Sequence, residues 1–154
     1  ISERATIGLS DVNDVWQHVS ELLNLEPHEL VELRKDFWSG DRLDKVLTDF
    51  VASQRPYCHT AVLSNAWPGT RQNFENHPEL KEAFETWIIS SEEGVAKPDP
   101  EIYERALRQL GVHAEEAAFV DDTTANVVAA RRLGIMGVEF QTTDQALHEL
   151  EMLI

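Results

Sequence analysis

The sequence predicts an α/β fold, a parallel sheet with helices on both faces, preceded by a purely helical segment. Three observations carry this. The first third shows helical periodicity only; from residue 57 short strands alternate with helices; and those strands are unbroken apolar runs, as in a sheet buried on both faces.

The elements follow in order. Behind Ser10 as N-cap, Val12, Val15, Trp16, Val19, Leu22 and Leu23 recur at spacings of three and four, the signature of an amphipathic helix. Pro27 suits a first helical position, and Leu30, Leu33 and Phe37 continue that spacing until Ser39-Gly40 breaks it. Leu43, Val46, Leu47, Phe50 and Val51 form a third apolar stripe behind Asp41, ending near Arg55-Pro56. Thr60 to Leu63 reads as a strand, followed by Pro68-Gly69 and a polar helix to about Asn76. Thr86 to Ile89 is a second strand. Asp99 caps a helix with Pro100 in its first turn, stopped by Gly111. Ala117 to Val120 is a third strand and leads into a helix ending at Gly134. Ile135 to Phe140 is a fourth. Thr142 to Gln145 reads as a capping box opening a last helix, with Leu147 and Leu150 on its buried side.

Composition narrows the function classes. The 154 residues hold one ordinary domain, or a small domain with an insert, and 42% hydrophobic with 27% charged residues is globular composition. The longest apolar runs are four or five residues, so no membrane partner is expected, and no secretory signal is visible. One cysteine, Cys58, forms no internal disulfide, fits a reducing cytoplasm, and is expected to be a small buried residue. One Cys and six scattered His build no zinc cluster. With 13 basic against 28 acidic residues the net charge is −15, which repels nucleic acid; a small anionic substrate needs a local cation.

In an open parallel sheet, ligands sit beyond the carboxyl ends of the strands. There the first strand ends in Ser64-Asn65, which suits a turn as well as a site. The third ends in Asp121-Asp122. Burying two adjacent carboxylates is costly unless a cation is present, and Mg²⁺ with oxygen ligands resolves that cost; one Asp alone also serves as a helix cap. Lys97, framed by Gly94, Pro98 and Pro100, is an ammonium on a rigid loop, suited to neutralise a phosphate.

Ser64, Lys97 and Asp121-Asp122 in this order, within Ala61–Ala66, Gly94–Tyr103 and Phe119–Val127, resemble the haloacid dehalogenase-like (HAD) hydrolase superfamily. The similarity includes Asn126, Ala129-Ala130 and Gly134, and is nearest the branch with helical caps: haloacid dehalogenases, phosphoglycolate-type phosphatases and the phosphatase domain of soluble epoxide hydrolase. It implies a helical cap over residues 1–55 and a Rossmann-like core over residues 56–154. It also implies a Mg²⁺-dependent phosphatase of a small phosphorylated metabolite working through an aspartyl-phosphate. Ser64 and Asn65 would hold the phosphoryl group and Lys97 would balance the charge on the nucleophile. Asp122 would bind Mg²⁺ directly, with Asp121 assisting. The family's Asp-x-Asp motif, which supplies the nucleophile, is absent from these residues. The expectation is a core lacking its first, central strand, which leaves the chain alone poorly stable, dimerised through the open sheet, or rescued by another segment. Two alternatives stand beside this reading: a catalytically inactive binding or regulatory module, and a metal-independent dehalogenase-type hydrolase. Trp16, Phe37 and Trp38 at helical spacing are expected in the core, whereas Trp67, directly after Ser64-Asn65-Ala66, is positioned to overhang the site.

Overall fold

The structure, a computed structural model, describes residues 1–40 and 42–153 and, of Trp38, the backbone alone. The helix start expected behind Asp41 and the core position expected for the Trp38 side chain therefore lie outside the described residues. The element order is α1 (Ser2–Thr6), α2 (Val12–Leu23), α3 (Pro27–Ser39), α4 (Lys45–Gln54), β1 (Ala61–Ser64), α5 (Thr70–Glu75), α6 (Pro78–Ala83) and β2 (Thr86–Ile89). It continues with α7 (Ser90–Glu93), α8 (Pro100–Leu110), a 3-10 turn (Ala114–Glu116), β3 (Ala118–Asp121), α9 (Thr124–Arg132), β4 (Met136–Glu139) and α10 (Thr143–Glu151). The fold is α/β with parallel strands, as the alternation of apolar runs and helices predicts.

Local chemistry sets most boundaries. Asp11, not Ser10, caps α2: its carboxylate accepts the Asn13 N–H at 2.7 Å while Asp14 accepts the Asp11 N–H at 3.0 Å. A short side chain one residue nearer the helix completes both bonds of the box, so Ser10 loses the role. α4 begins later than the apolar stripe implies, because Asp44 caps it through the Leu47 N–H. Leu43 therefore lies outside the helix and is exposed. Asp99 and Thr142 cap α8 and α10 as expected, the latter in a capping box with Gln145.

The strands form two parallel pairs rather than one continuous sheet. β1 pairs with β2 from Ala61 opposite Thr86 to Ser64 opposite Ile89, and β3 pairs with β4 from Ala118 opposite Met136 to Asp121 opposite Glu139. Backbone direction alternates along a strand. Thr60 O accepts from Glu85 N on the β2 side, and Leu63 O turns the other way. Ala117 O and Asp121 O accept from Met136 N and Phe140 N on the β4 side, so Ala118 and Val120 point away from β4. Ala61 and Leu63 on one strand, and Ala118 and Val120 on the other, thus present backbone groups to edges that no strand of the described residues covers. β1 is half-buried along its length and Ala118 is exposed, unusual for parallel strands, which are normally covered on both faces.

Helix α8 joins the two pairs. Its Ile102 and Tyr103 are fully buried in one cluster with Ile88, Val95, Ala130 and Ile135, against which Leu63 of β1 and Phe119 of β3 also pack. Each such large side chain contributes about 1.5–3 kcal/mol on burial. The Tyr103 ring meets Phe119 edge-on at 5.4 Å.

Among the N-terminal helices α2 packs on α3 and α1 on α7, whereas α4 packs on α6 and α10. The Asp44 carboxylate also takes a short hydrogen bond from the Thr143 hydroxyl, which holds its pKa below the usual value. Of the aromatic residues expected in the core, Trp16 is buried, but Phe37 is 54% exposed. α3 buries no residue fully among those described, because only one side of it meets α2. Cys58 is likewise exposed rather than buried, since it sits in the turn that ends α4.

Candidate active site

Lys97 is positioned by a loop that its own sequence makes stiff. α7 ends at Gly94 in a left-handed conformation (φ 73°), which glycine adopts without a Cβ penalty, and Asp99 starts α8 five residues on. Between them Asn65, from the turn after β1, clamps the lysine backbone: Lys97 N–H donates to Asn65 Oδ1 and Asn65 Nδ2 donates to Lys97 O, both at 2.8 Å. The Lys97–Pro98 peptide is cis. The side chain then reaches back across the strand ends. Its Nζ donates to Leu63 O at 2.7 Å and to Asp121 Oδ2 at 2.6 Å, and lies 5.5 Å from the centre of the Phe119 ring.

Asp121 closes β3 as a fully engaged carboxylate. Its Oδ1 accepts the Thr123 N–H at 2.8 Å and Asn126 Nδ2 at 3.0 Å, while Oδ2 takes Lys97. The two side chains of the ion pair are only 9% and 7% exposed. Burial pushes the Asp121 carboxyl up, but the hydrogen bonds from Lys97, Asn126 and Thr123 and the lysine charge outweigh it, so its pKa lies below 3.8. Beneath it the Tyr103 hydroxyl donates to Asn126 O at 2.9 Å, and burial followed by the Asp121 charge pushes that phenol up to about 12.

Lys97 and Asp121 therefore meet beyond the carboxyl ends of β1 and β3. Ser64 lies half-buried at the end of β1, next to the carbonyl that Lys97 holds. Asn65 is occupied by the lysine backbone, so its amide positions Lys97. Asp122 is exposed and accepts a 3.3 Å hydrogen bond from the Thr123 hydroxyl. Lys97 thus neutralises the buried carboxylate, and the exposed one remains accessible.

The donor set nevertheless fits a hard cation. Among the described residues no three or more His, Cys, Asp or Glu side chains are grouped so as to hold a metal ion by themselves. Mg²⁺ in phosphoryl-transfer sites takes only one or two carboxylates, with waters and phosphate oxygens completing its octahedron. Asp122 offers an accessible carboxylate of that kind, beside the fixed Asp121.

Two positions matter beyond the roles expected from the sequence: Asn126, which the resemblance includes without assigning it a role, and Ser90, which the sequence reading did not single out. Asn126 stands in the first turn of α9, 7% exposed, and fixes Asp121; an amide among buried apolar neighbours was the available signal. Ser90, fully buried directly after the apolar run of β2, accepts the Ala66 N–H at 2.9 Å and so pins the turn that carries Ser64 and Asn65.

Comparison with known proteins identifies the family and the fold. The family description matching residues 13–134 is haloacid dehalogenase-like hydrolase. The sesquiterpene phosphatase of Aspergillus oryzae is 37% identical over 87 residues, 56% of this chain and 44% of that protein. The bifunctional epoxide hydrolase 2 of Sus scrofa is 36% identical over 98 residues, 60% of this chain and 17% of that protein. The chain spans less than half the length of these curated relatives. A HAD family enzyme of Bacteroides thetaiotaomicron, solved with magnesium and inorganic phosphate, superposes with a TM-score of 0.78 at 21% identity, covering 95% of this chain and 78% of that one. With most of its length matched by one family description and its fold shared with enzymes of that family, the chain belongs to the haloacid dehalogenase-like hydrolases.

Proposed function

We propose that this chain belongs to a Mg²⁺-dependent phosphatase acting on a small phosphorylated metabolite through an aspartyl-phosphate. The nucleophilic carboxylate would stand at the carboxyl end of a parallel strand seated between β1 and β3. The observation that carries this reading is the Lys97–Asp121 pair, a buried ion pair held at the mouth of two uncovered strand edges. Phosphatases among the relatives and a fold neighbour solved with magnesium and phosphate support it.

The residues divide the work by chemistry. An ammonium has three N–H donors; Leu63 O and Asp121 take two of those of Lys97, leaving one for a phosphoryl oxygen or the incoming carboxylate. Fixed in place, this charge needs no reorganisation as negative charge builds up on the transferring group. Asp121 keeps the ammonium aimed. Ser64 supplies a hydroxyl donor at the end of β1. Asp122, with Asp121 behind it, would hold Mg²⁺, which when bound neutralises phosphate oxygens. Without an inserted strand, the uncovered edges of β1 and β3 would drive the isolated chain to pair with a second copy.

The test is hydrolysis of an aryl phosphate by the intact protein with and without Mg²⁺. Lys97→Ala and Asp122→Asn are each expected to lower kcat by about 10²–10³. Full activity in a strong chelator would favour the metal-independent dehalogenase-type reaction. Absence of both hydrolysis and phosphate binding would favour a non-catalytic module.

A further inference from the structure

One fully buried serine touches both loops that bring side chains to the strand ends. Ser90 follows Ile89, the residue of β2 that lies opposite Ser64, and none of its surface reaches solvent. Its hydroxyl serves the turn after β1: it accepts the Ala66 N–H at 2.9 Å and donates to Ala66 O at 3.3 Å. A hydroxyl has one proton to give and lone pairs to receive with, so both bonds form at once. The Ser90 main chain serves the other loop. Its carbonyl accepts the Gly94 N–H at 2.9 Å, which closes α7 where the segment leading to Lys97 begins.

The two loops then meet. Asn65, the residue before Ala66, accepts the Lys97 N–H at Oδ1 and donates from Nδ2 to Lys97 O, both at 2.8 Å. A continuous path therefore runs from the Ser90 hydroxyl through Ala66 and the Asn65 side chain to the Lys97 main chain. It ends at Nζ, held between Leu63 O and Asp121. A buried hydroxyl is costly unless its bonds are made, and both bonds of this one go to a single residue of the site turn. The far end of α7 is tied to α8 instead, through the Arg105 guanidinium, which donates to Glu93 O at 2.6 Å. Ser90 is thus the tie of α7 on the side of the site.

We propose that Ser90 is a positioning residue for the phosphoryl-transfer reaction: it fixes the turn of Ser64, Asn65 and Ala66 and, through Asn65, the placement of Lys97. This rests on the phosphatase reading above and adds to it a residue that is sealed from solvent and acts only through its neighbours. The lysine is held by its main chain at one end and by Leu63 O and Asp121 at the other. Such an arrangement tolerates little slack, since a misplacement of about 1 Å at a reacting group costs roughly 10² in rate.

The experiment pairs kinetics with residue-resolved amide exchange on the intact protein. With Mg²⁺ and 4-nitrophenyl phosphate, Ser90→Ala should lower kcat by about 10²-fold and move KM far less. Asn65→Ala breaks the same path one step later, so the double variant should lose little more than Asn65→Ala alone. Ser90→Ala should also speed exchange of the Ala66 N–H and, at a distance, of the Lys97 N–H. The expected factor is roughly tenfold or more, about what the loss of one buried hydrogen bond gives. The Phe119 N–H, which points to β4, should exchange as in the parent. An unchanged kcat, or a Lys97 amide that stays slow while Ala66 speeds up, overturns the proposal. So does a fully additive double variant, or equal acceleration at Phe119. If Ser90→Ala does not fold, Ser90→Cys, which puts a weaker donor and acceptor in the same place, carries the same comparison. If the parent hydrolyses no phosphate ester, the phosphatase reading fails, and exchange at Lys97 alone decides whether Ser90 positions it.

Discussion

Replacing Lys97 by alanine probes the centre of the site most sharply. The substitution removes the ammonium from a carboxylate 2.6 Å away and leaves Leu63 O without its donor. Both side chains of the pair are under a tenth exposed, so water does not step in at once. Breaking a buried pair from one side costs about 3–5 kcal/mol, against 0–1 kcal/mol for an exposed pair. For a chain of this length that is a loss of roughly 6–20 °C in Tm. Asp121 retains the Thr123 N–H and Asn126 Nδ2, which argues for the lower half of the range. The assay is urea unfolding of the intact protein followed by tryptophan fluorescence, on Lys97→Ala, Asp121→Asn and the double variant. Once both charges are gone no charge remains buried alone, so the double variant should be more stable than additivity predicts by about 1–3 kcal/mol. A single-variant cost below about 1 kcal/mol, with additive behaviour in the double, would refute a buried, coupled pair.

The remaining expectations concern neighbours of that pair. Because the Asp121 carboxyl lies below its ordinary 3.8 in the folded protein, the unfolded chain takes up the proton first as pH falls. Its contribution is therefore complete above about pH 4 and is lost as pH drops through the folded value. Acid unfolding curves of Asp121→Asn should lack that component. Asn126→Ala deletes the 3.0 Å hydrogen bond that aims Asp121 and should cost about 1–3 kcal/mol in chemical denaturation. Its kcat should fall more than its KM rises, whereas a purely structural residue would leave the kinetics of the folded fraction unchanged. Gly137→Ala places a Cβ 2.9 Å from Val127 Cγ1 and 3.0 Å from Arg131 Cγ, and should destabilise by about 1–3 kcal/mol in the same denaturation assay.

What could be read in advance was whatever local chemistry decides. Apolar runs bounded by turn residues marked β1 to β4 to within a residue or two, and Asp99 and Thr142 announced their helices because a capping side chain acts within three residues. The approach of Lys97 to Asp121 followed from their positions beyond strand ends, which a parallel sheet brings to one side, but their direct ion pair was not foreseen. Hidden were the features that depend on which neighbour arrives. Asp11 and Ser10 are both good caps, and only the backbone turn between them selects Asp11. Of two adjacent aspartates, the one at the last strand position turns inward to Lys97 and the next is exposed, a division of roles that adjacency in sequence does not reveal. Phe37 carries the same apolar signal as Trp16, and its exposure is set by the contact between α3 and Trp67, remote in sequence. The short helices α1 and α6 offer too few turns for periodicity to register.

The proposed seat for a nucleophile-bearing strand has a direct signature in amide hydrogen exchange. In this 154-residue chain, the N–H groups of Val62 and Phe119 point to β2 and β4, and those of Leu63 and Val120 point to the uncovered edges. Paired amides in a folded strand exchange slowly and unpaired ones do not. Residue-resolved exchange on the isolated chain should show Val62 and Phe119 protected and Leu63 and Val120 fast, with the latter two becoming protected in the catalytically active protein. Protection of Leu63 and Val120 in a monomeric isolated chain would mean that β1 and β3 close on each other, leaving no seat for a strand between them.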